Sequence, residues 1–360
     1  MSTLATSFRG CRARLRKPLT AALGSVVLAA PLVAVAGPAE AAPRVSWSDL
    51  SVVAGKSVVA TVKPASIPQG AEAVLQRKFP DRWRVADGTA TSGNGGLRLT
   101  VPTDQYGQFV YRVAAVDGDS VLDTSDAVTM NVKPPYDPQG AASSYAFLSS
   151  PRWRWDSCSV VTWRYNDARS PRSALTQIKG AFGRVHAATG IEFRYLGKTT
   201  KTAAPGGRGG QDIILGWLSN RTFRNQYGGA IAVGGASYFT GYTQANGDNI
   251  SRAVSGGVAL SAGFNDNLRK GFGSGFTWGE VLMHEIGHVM GLDHANSSKQ
   301  LMFPRITSRA AKWGAGDLRG FRLLGDTQGC VTPRANRINA EERTIVVHHD
   351  ERYRLPRAAR

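Results

Sequence analysis

Residues 284–294 read HEIGHVMGLDH. Three histidines, one glutamate and one glycine stand there at fixed offsets, and the residues before them say what they stand on. Thr277-Trp278-Gly279-Glu280 has the S/T-x-x-E spacing of a capping box, and Phe276 and Val281 sit where a hydrophobic staple forms. A helix is therefore expected from Thr277 through WGEVLMHEIGHVMG, with Leu282, Ile286 and Val289 on one apolar stripe. Gly291 is well placed to end it.

On such a helix His284 and His288 are one turn apart, so both imidazoles project from one face and can reach one ion. Glu285 lies about 100° around the axis, beside the ion rather than bound to it, where a carboxylate can take a proton from water. A third ligand needs a sharp turn. Gly291 permits the left-handed backbone of that turn, and His294 follows three residues later. Three neutral imidazoles with one open position is the donor set of a catalytic Zn2+ site, whereas a structural site is closed by four ligands, commonly including thiolates. At this chain's own His and Glu frequencies, HExxH arises by chance roughly two times in a thousand, and GxxH lowers that to a few in a million. Calcium is compatible with the chain, but no motif supports it. His186, alone on an earlier helix, is expected to be a hydrogen-bonded or surface histidine.

Working outward, residues 44–134 hold short alternating segments such as KSVVATVKP, AEAVLQRKF, GLRLTVP and GQFVYRVAAVD. About seven strands and no long helix fit an all-β, antiparallel sandwich. This stretch resembles the immunoglobulin-like or fibronectin-like modules of exported bacterial proteins. The segment 135–145, rich in proline and small residues, reads as a linker. Residues 146–332 read as an α/β (α+β) unit with a mixed sheet. SVVTWRYN is a strand, and the helix that follows has Ser170 as cap, Pro171 at its first position and Gly190 as its stop. IEFRYLG, QDIILGWL, GGAIAVGGASYFT and GVALSAGF are further strands, and the unit ends in helices. Residues 333–360 read as a basic, mobile C-terminal extension in which TIVVHH could add a short strand. Its adjacent His348 and His349 point in different directions in any regular structure and make a poor metal site.

The motif is similar to that of the metzincin clan of zinc metalloproteases, HExxHxxGxxH, which matches at His284, Glu285, His288, Gly291 and His294. LMFP places Met302 where that clan has its Met-turn, and the order of elements from 159 to 325 looks like the matrixin branch. The resemblance implies an active-site helix with His284, His288 and His294 as zinc ligands and Glu285 as general base. Met302 would pack beneath the site without binding. It also implies protein or peptide substrates, with an extended substrate adding to an exposed sheet edge, for which GGAIAVGGASYF (228–239) is the candidate. Ala295 replaces the serine usual in matrixins, and no tyrosine follows Met302 as in astacin-like enzymes.

Residues 1–41 carry Arg9, Arg12, Arg14, Arg16 and Lys17, an apolar run from Leu19 to Ala36, and Ala39-Glu40-Ala41. This is the layout of a secretory signal peptide, and no later stretch is apolar for long enough to span a membrane. Export, with a secreted or wall-associated product, is the expectation. Its removal lowers the net charge from +18 to +14. A basic exported protein suits anionic cell-wall or surface polymers, while no recognisable nucleic-acid-binding fold accompanies the charge. Of the 3 cysteines, Cys11 leaves with the leader. Cys158 and Cys330 remain, and an even pair in an oxidising compartment is most simply a disulfide. With no cysteine between 42 and 157, a cysteine switch is ruled out. The rival reading is a cell-surface binding protein with a vestigial metal site, but metal-dependent folding alone would not require Glu285.

Overall fold

The computed structural model describes residues 42–86, 90–93, 96–207, 213–334 and 342–346. The leader at 1–41, most of the extension, and His348 and His349 lie outside them. Among the described residues, ten strands form the N-terminal region: β1 (Val45–Trp47), β2 (Ser51–Val53), β3 (Val58–Val62), β4 (Glu72–Lys78), β5 (Trp83–Val85), β6 (Ala90–Gly93), β7 (Gly96–Val101), β8 (Gly107–Asp117), β9 (Ser120–Thr124) and β10 (Val128–Lys133). That exceeds the expected seven or so, because β1, β2 and β6, of three or four residues each, are too short for alternation to show. The orders are β1-β3-β7-β6 and β2-β10-β8-β4-β5, with β9 against β8. Period-two alternation turns Val58, Ala60 and Val62 of one sheet onto Leu75, Tyr111, Val113 and Met130 of the other, forming one core.

The second region holds β11 (Ala146–Phe147), β12 (Trp153–Arg154), β13 (Val161–Asn166), α1 (Ala174–Thr189), β14 (Phe193–Lys198), β15 (Ile213–Leu218), α2 (Asn220–Tyr227), β16 (Ala232–Thr243), β17 (Asn249–Ser261), α3 (Trp278–Met290), β18 (Leu292–Asp293), α4 (Ala315–Arg322), β19 (Thr332–Pro333) and β20 (Glu342–Val346). Its sheet runs β14-β13-β15-β17-β16. The first four strands are parallel and β16 is antiparallel to β17. All of β15 is buried, as a strand covered on both faces must be. α1 packs on α3, and α3 packs on β16 and β17.

Two details differ from the sequence reading. α1 starts at Ala174 rather than Pro171, because the Ser170 hydroxyl is taken by Tyr165 and by the Asp167 carbonyl, leaving 171–173 as a turn. Gly190, at φ 72°, does end it. The edge strand β16 is also not exposed along its length. Tyr242 and Thr243 pair with β19, and Gly235–Phe239 pair with β20. The extension thus supplies a strand at 342–346, two residues earlier than TIVVHH suggests.

Cys158 and Cys330 form the disulfide that cysteine parity implies. The β-rich region is fastened to the second sheet's unit by a largely buried ion pair, Arg77 Nη2 to Asp326 at 3.0 Å. His186 Nε2 meets Asp104 at 3.0 Å, and the Tyr106 N–H donates to the Ala187 carbonyl at 2.7 Å. The segment 135–145 lies against the start of α4, where the Gln139 carbonyl accepts from the Ala315 N–H at 2.9 Å. Among the described residues no helix is long and apolar enough to cross a membrane.

Candidate metal centre

The helix α3 begins as its sequence requires: Thr277 is the N-cap and its hydroxyl accepts from the Glu280 N–H at 3.2 Å. The reciprocal half of the box is missing. Glu280 instead turns its Oε1 to Thr307, accepting from the backbone N–H at 2.7 Å and the hydroxyl at 2.9 Å. Burial pushes the Glu280 carboxyl up to about 7, against the two Thr307 donors. At the other end Gly291 is the left-handed cap, φ 111°, with its N–H returning to the carbonyls of Gly287 and His288. A side chain at Gly291 would also crowd Trp153, whose nearest atoms would lie 3.2 Å from the new Cβ.

The apolar stripe is only part of the picture. Every residue of α3 is buried, including His284, Glu285 and His288, so this is a central helix covered on all sides. Such close cover relies on glycine. A Cβ at Gly234 of β16 would stand 2.3 Å from the Glu285 carbonyl oxygen, and one at Gly287 would stand 2.4 Å from Met302 Sδ. Met302 is therefore pressed against α3 between the two histidine turns. Its carbonyl accepts from the Ala295 N–H at 2.9 Å, which ties the loop holding His294 to it.

The helix and the turn after Gly291 bring the three histidines together: one ligand atom from each of His284, His288 and His294 lies within 4.8 Å of the others. His284 Nδ1 is 2.9 Å from the Leu301 carbonyl, and His288 Nδ1 is 2.7 Å from the Leu292 carbonyl. A carbonyl only accepts, so each Nδ1 must carry the hydrogen and each neutral ring keeps its lone pair on Nε2. Those two Nε2 atoms face each other at 3.1 Å. Two lone pairs at that distance repel unless a cation or proton lies between them, so the donor set fits a divalent ion. The His294 ring is half-buried, with its centroid 4.9 Å from that of His288. A carbonyl behind the metal-facing side of an imidazole is the usual way a ligand histidine is oriented.

Behind the histidines stands a carboxylate that motif reading did not reveal. Asp317 Oδ2 accepts from the N–H of Leu301 at 2.6 Å and of Gly314 at 2.8 Å, and Oδ1 accepts from Met302 at 3.3 Å. Burial pushes its carboxyl up to about 6, while these backbone donors hold it down. The available signal was an acidic residue in the first turn of a helix, which explains its bond to Gly314 but not the other two. Gln300 was also missed: its Oε1 accepts from Gly316 at 2.9 Å and Asp317 at 3.1 Å, capping α4 from a distant loop. His186 stands apart from the three histidines, held by the Ile191 carbonyl and Asp104. A second grouping, Asp156 with Cys158 and Cys330, has both sulfurs committed to the disulfide.

Residues 152–323 match the family model described as Matrixin (Peptidase M10), which supports a matrixin-like metalloprotease domain over that span. No curated protein matches the chain. Among solved structures, the TIG domain of human nuclear factor of activated T-cells, cytoplasmic 4, aligns at 18% identity. It covers 28% of this chain and 93% of its own, with a TM-score of 0.20. A structural genomics protein of unknown function from Bacteroides thetaiotaomicron VPI-5482 aligns at 15% identity over 35% of this chain and 31% of its own, with a TM-score of 0.18. Both likenesses are too slight to carry an argument.

Proposed function

We propose that the chain is an exported zinc-dependent endopeptidase, with a peptidase domain over 146–332, an immunoglobulin-like module over 44–134 and a linker at 135–145. The observation that carries the reading is the facing pair of His284 and His288 Nε2 atoms, 3.1 Å apart, with His294 beside them. The Matrixin match supports the metalloprotease class.

His284, His288 and His294 would hold the ion, each of the first two fixed in one tautomer by its carbonyl. Zinc supplies there a Lewis acid for the peptide carbonyl and a lowered pKa for water. Glu285, next to the first ligand, takes the proton of the attacking water and delivers it to the departing amine. Gly291 redirects the chain so that His294 returns to the cluster, and Met302 supports α3 from below. Export is supported by the leader-like sequence at 1–41 and by the disulfide, which suits an oxidising compartment.

The test is casein hydrolysis by the purified protein, with bound zinc measured by elemental analysis on the same sample. Activity should vanish with a chelator and return with zinc. A folded protein that takes up no zinc, or a zinc-loaded one that leaves casein intact, would overturn the reading.

A further inference from the structure

β16 is the last strand on its side of the β14-β13-β15-β17-β16 order, and α3 packs across β16 and β17. Gly234 has no side chain, and its position is so close to α3 that an added Cβ would meet the Glu285 carbonyl at 2.3 Å. The helix that carries His284, Glu285 and His288 thus lies across one face of β16, and a peptide paired to the outer edge of β16 would run beside that covered strand. That edge is occupied by this chain's own C-terminal segment. β20 pairs antiparallel with β16 in the register Phe239↔Glu342, Tyr238↔Arg343, Ser237↔Thr344, Ala236↔Ile345 and Gly235↔Val346. Its last residue thus lies opposite Gly235, one residue from Gly234.

We infer that, on the β16 edge where the resemblance already places an extended substrate, the segment Glu342–Val346 is a resident, displaceable occupant that restrains access to the histidine cluster. This rests on the endopeptidase reading for its consequence, but the binding itself does not. Strand addition recognises backbone, so any extended peptide can make the same ladder. The net gain of a ladder bond is comparable to the cost of ordering the residue that makes it, so five residues at an edge are held weakly. What favours the chain's own strand is its tether: β19 fixes Thr332 and Pro333 against the same β16, only a short span before Glu342. A short tether gives an effective concentration on the order of millimolar, which a free peptide must match. The expected behaviour is a KM raised by self-competition while kcat is nearly unchanged.

The test uses the full chain with Thr344→Pro and Ile345→Pro made separately. Successive N–H groups in a strand point to opposite sides, so one of the two replacements removes a donor aimed at β16 and the other one aimed away. The variant that loses the ladder donor should show faster amide exchange at 235–239, bind a labelled AEERTIVV octapeptide at concentrations well below millimolar, where the parent excludes it, and cleave an extended peptide with at least a threefold lower KM. Released amides without octapeptide binding would overturn the proposal, as would unchanged exchange in both variants. The unaltered chain gives an independent reading. With the metal chelated to prevent cleavage, millimolar AEERTIVV should speed exchange at 342–346, and peptide binding that leaves those amides protected defeats the idea. If the octapeptide binds and displaces the tail but no form of the zinc-loaded protein cleaves peptides, the binding site stands and the endopeptidase reading falls.

Discussion

Asp317 and His284 are joined through a single residue: the Leu301 N–H donates to Asp317 Oδ2 at 2.6 Å, and the Leu301 carbonyl accepts from His284 Nδ1 at 2.9 Å. A buried carboxylate on α4 therefore sets the tautomer and aim of an imidazole on α3. In Asp317→Asn one of the two oxygens becomes an amide that cannot accept, and buried N–H donors lose their partner. The expected loss is about 1–3 kcal/mol of stability and roughly 10- to 100-fold in zinc affinity. Urea unfolding of the metal-free protein and zinc competition against a chelating dye measure the two separately. Parent-like zinc affinity would mean that Leu301 is held in place without Asp317.

The opening motif contains two kinds of residue with different jobs. His288→Ala removes an imidazole from the cluster and should lower both zinc content and activity. Glu285→Gln keeps the shape but not the proton acceptor, so zinc should stay while cleavage falls by at least the roughly 10²- to 10⁴-fold of a lost general base. Elemental analysis and a quenched peptide assay on the same preparations decide it. Near-parent cleavage by a zinc-replete Glu285→Gln protein would refute the assigned chemistry while leaving the metal site intact.

The Cys158–Cys330 bond closes a sequence separation of 172 residues. Non-reducing alkylation of the purified protein should leave Cys158 and Cys330 unlabelled. Replacing both cysteines with serine should cost up to roughly 5 kcal/mol on the chain-entropy account, less any strain relieved. Labelling of both Cys158 and Cys330 in freshly purified, unreduced protein is the result that would contradict this.

Contact between the β-rich region and α1 should depend on pH through His186. Burial works against its charged form, but the Asp104 hydrogen bond, the Ile191 carbonyl and Glu192 outweigh it and push the pKa up to about 9. A folded pKa above the unfolded value of about 6.5 means the contribution is complete below pH 6.5 and is lost as pH rises through 9. Because the Asp104 side chain is 61% exposed, solvent screening reduces the effect to on the order of 1 kcal/mol. Unfolding midpoints measured from pH 6 to 10 should decline in the parent and flatten in Asp104→Asn. Parallel curves for the two would exclude this pair as the source.

The motif at 284–294, the start of α3 at Thr277 and its end at Gly291 were legible because a helix brings residues four apart to one face and its caps are local. Cysteine parity likewise gave the Cys158–Cys330 pair without any knowledge of distance. The sequence could not show that Asp317 reaches back 16 residues to Leu301, or that Arg77 finds Asp326 across 249. Nor could it show that Glu280 leaves its own cap for Thr307, or that the tail closes the β16 edge. Local geometry fixes which side chains share a turn. Which buried donors and acceptors pair at long range depends on how the chain packs, since any buried polar group must take the partner that the packed neighbours leave within reach.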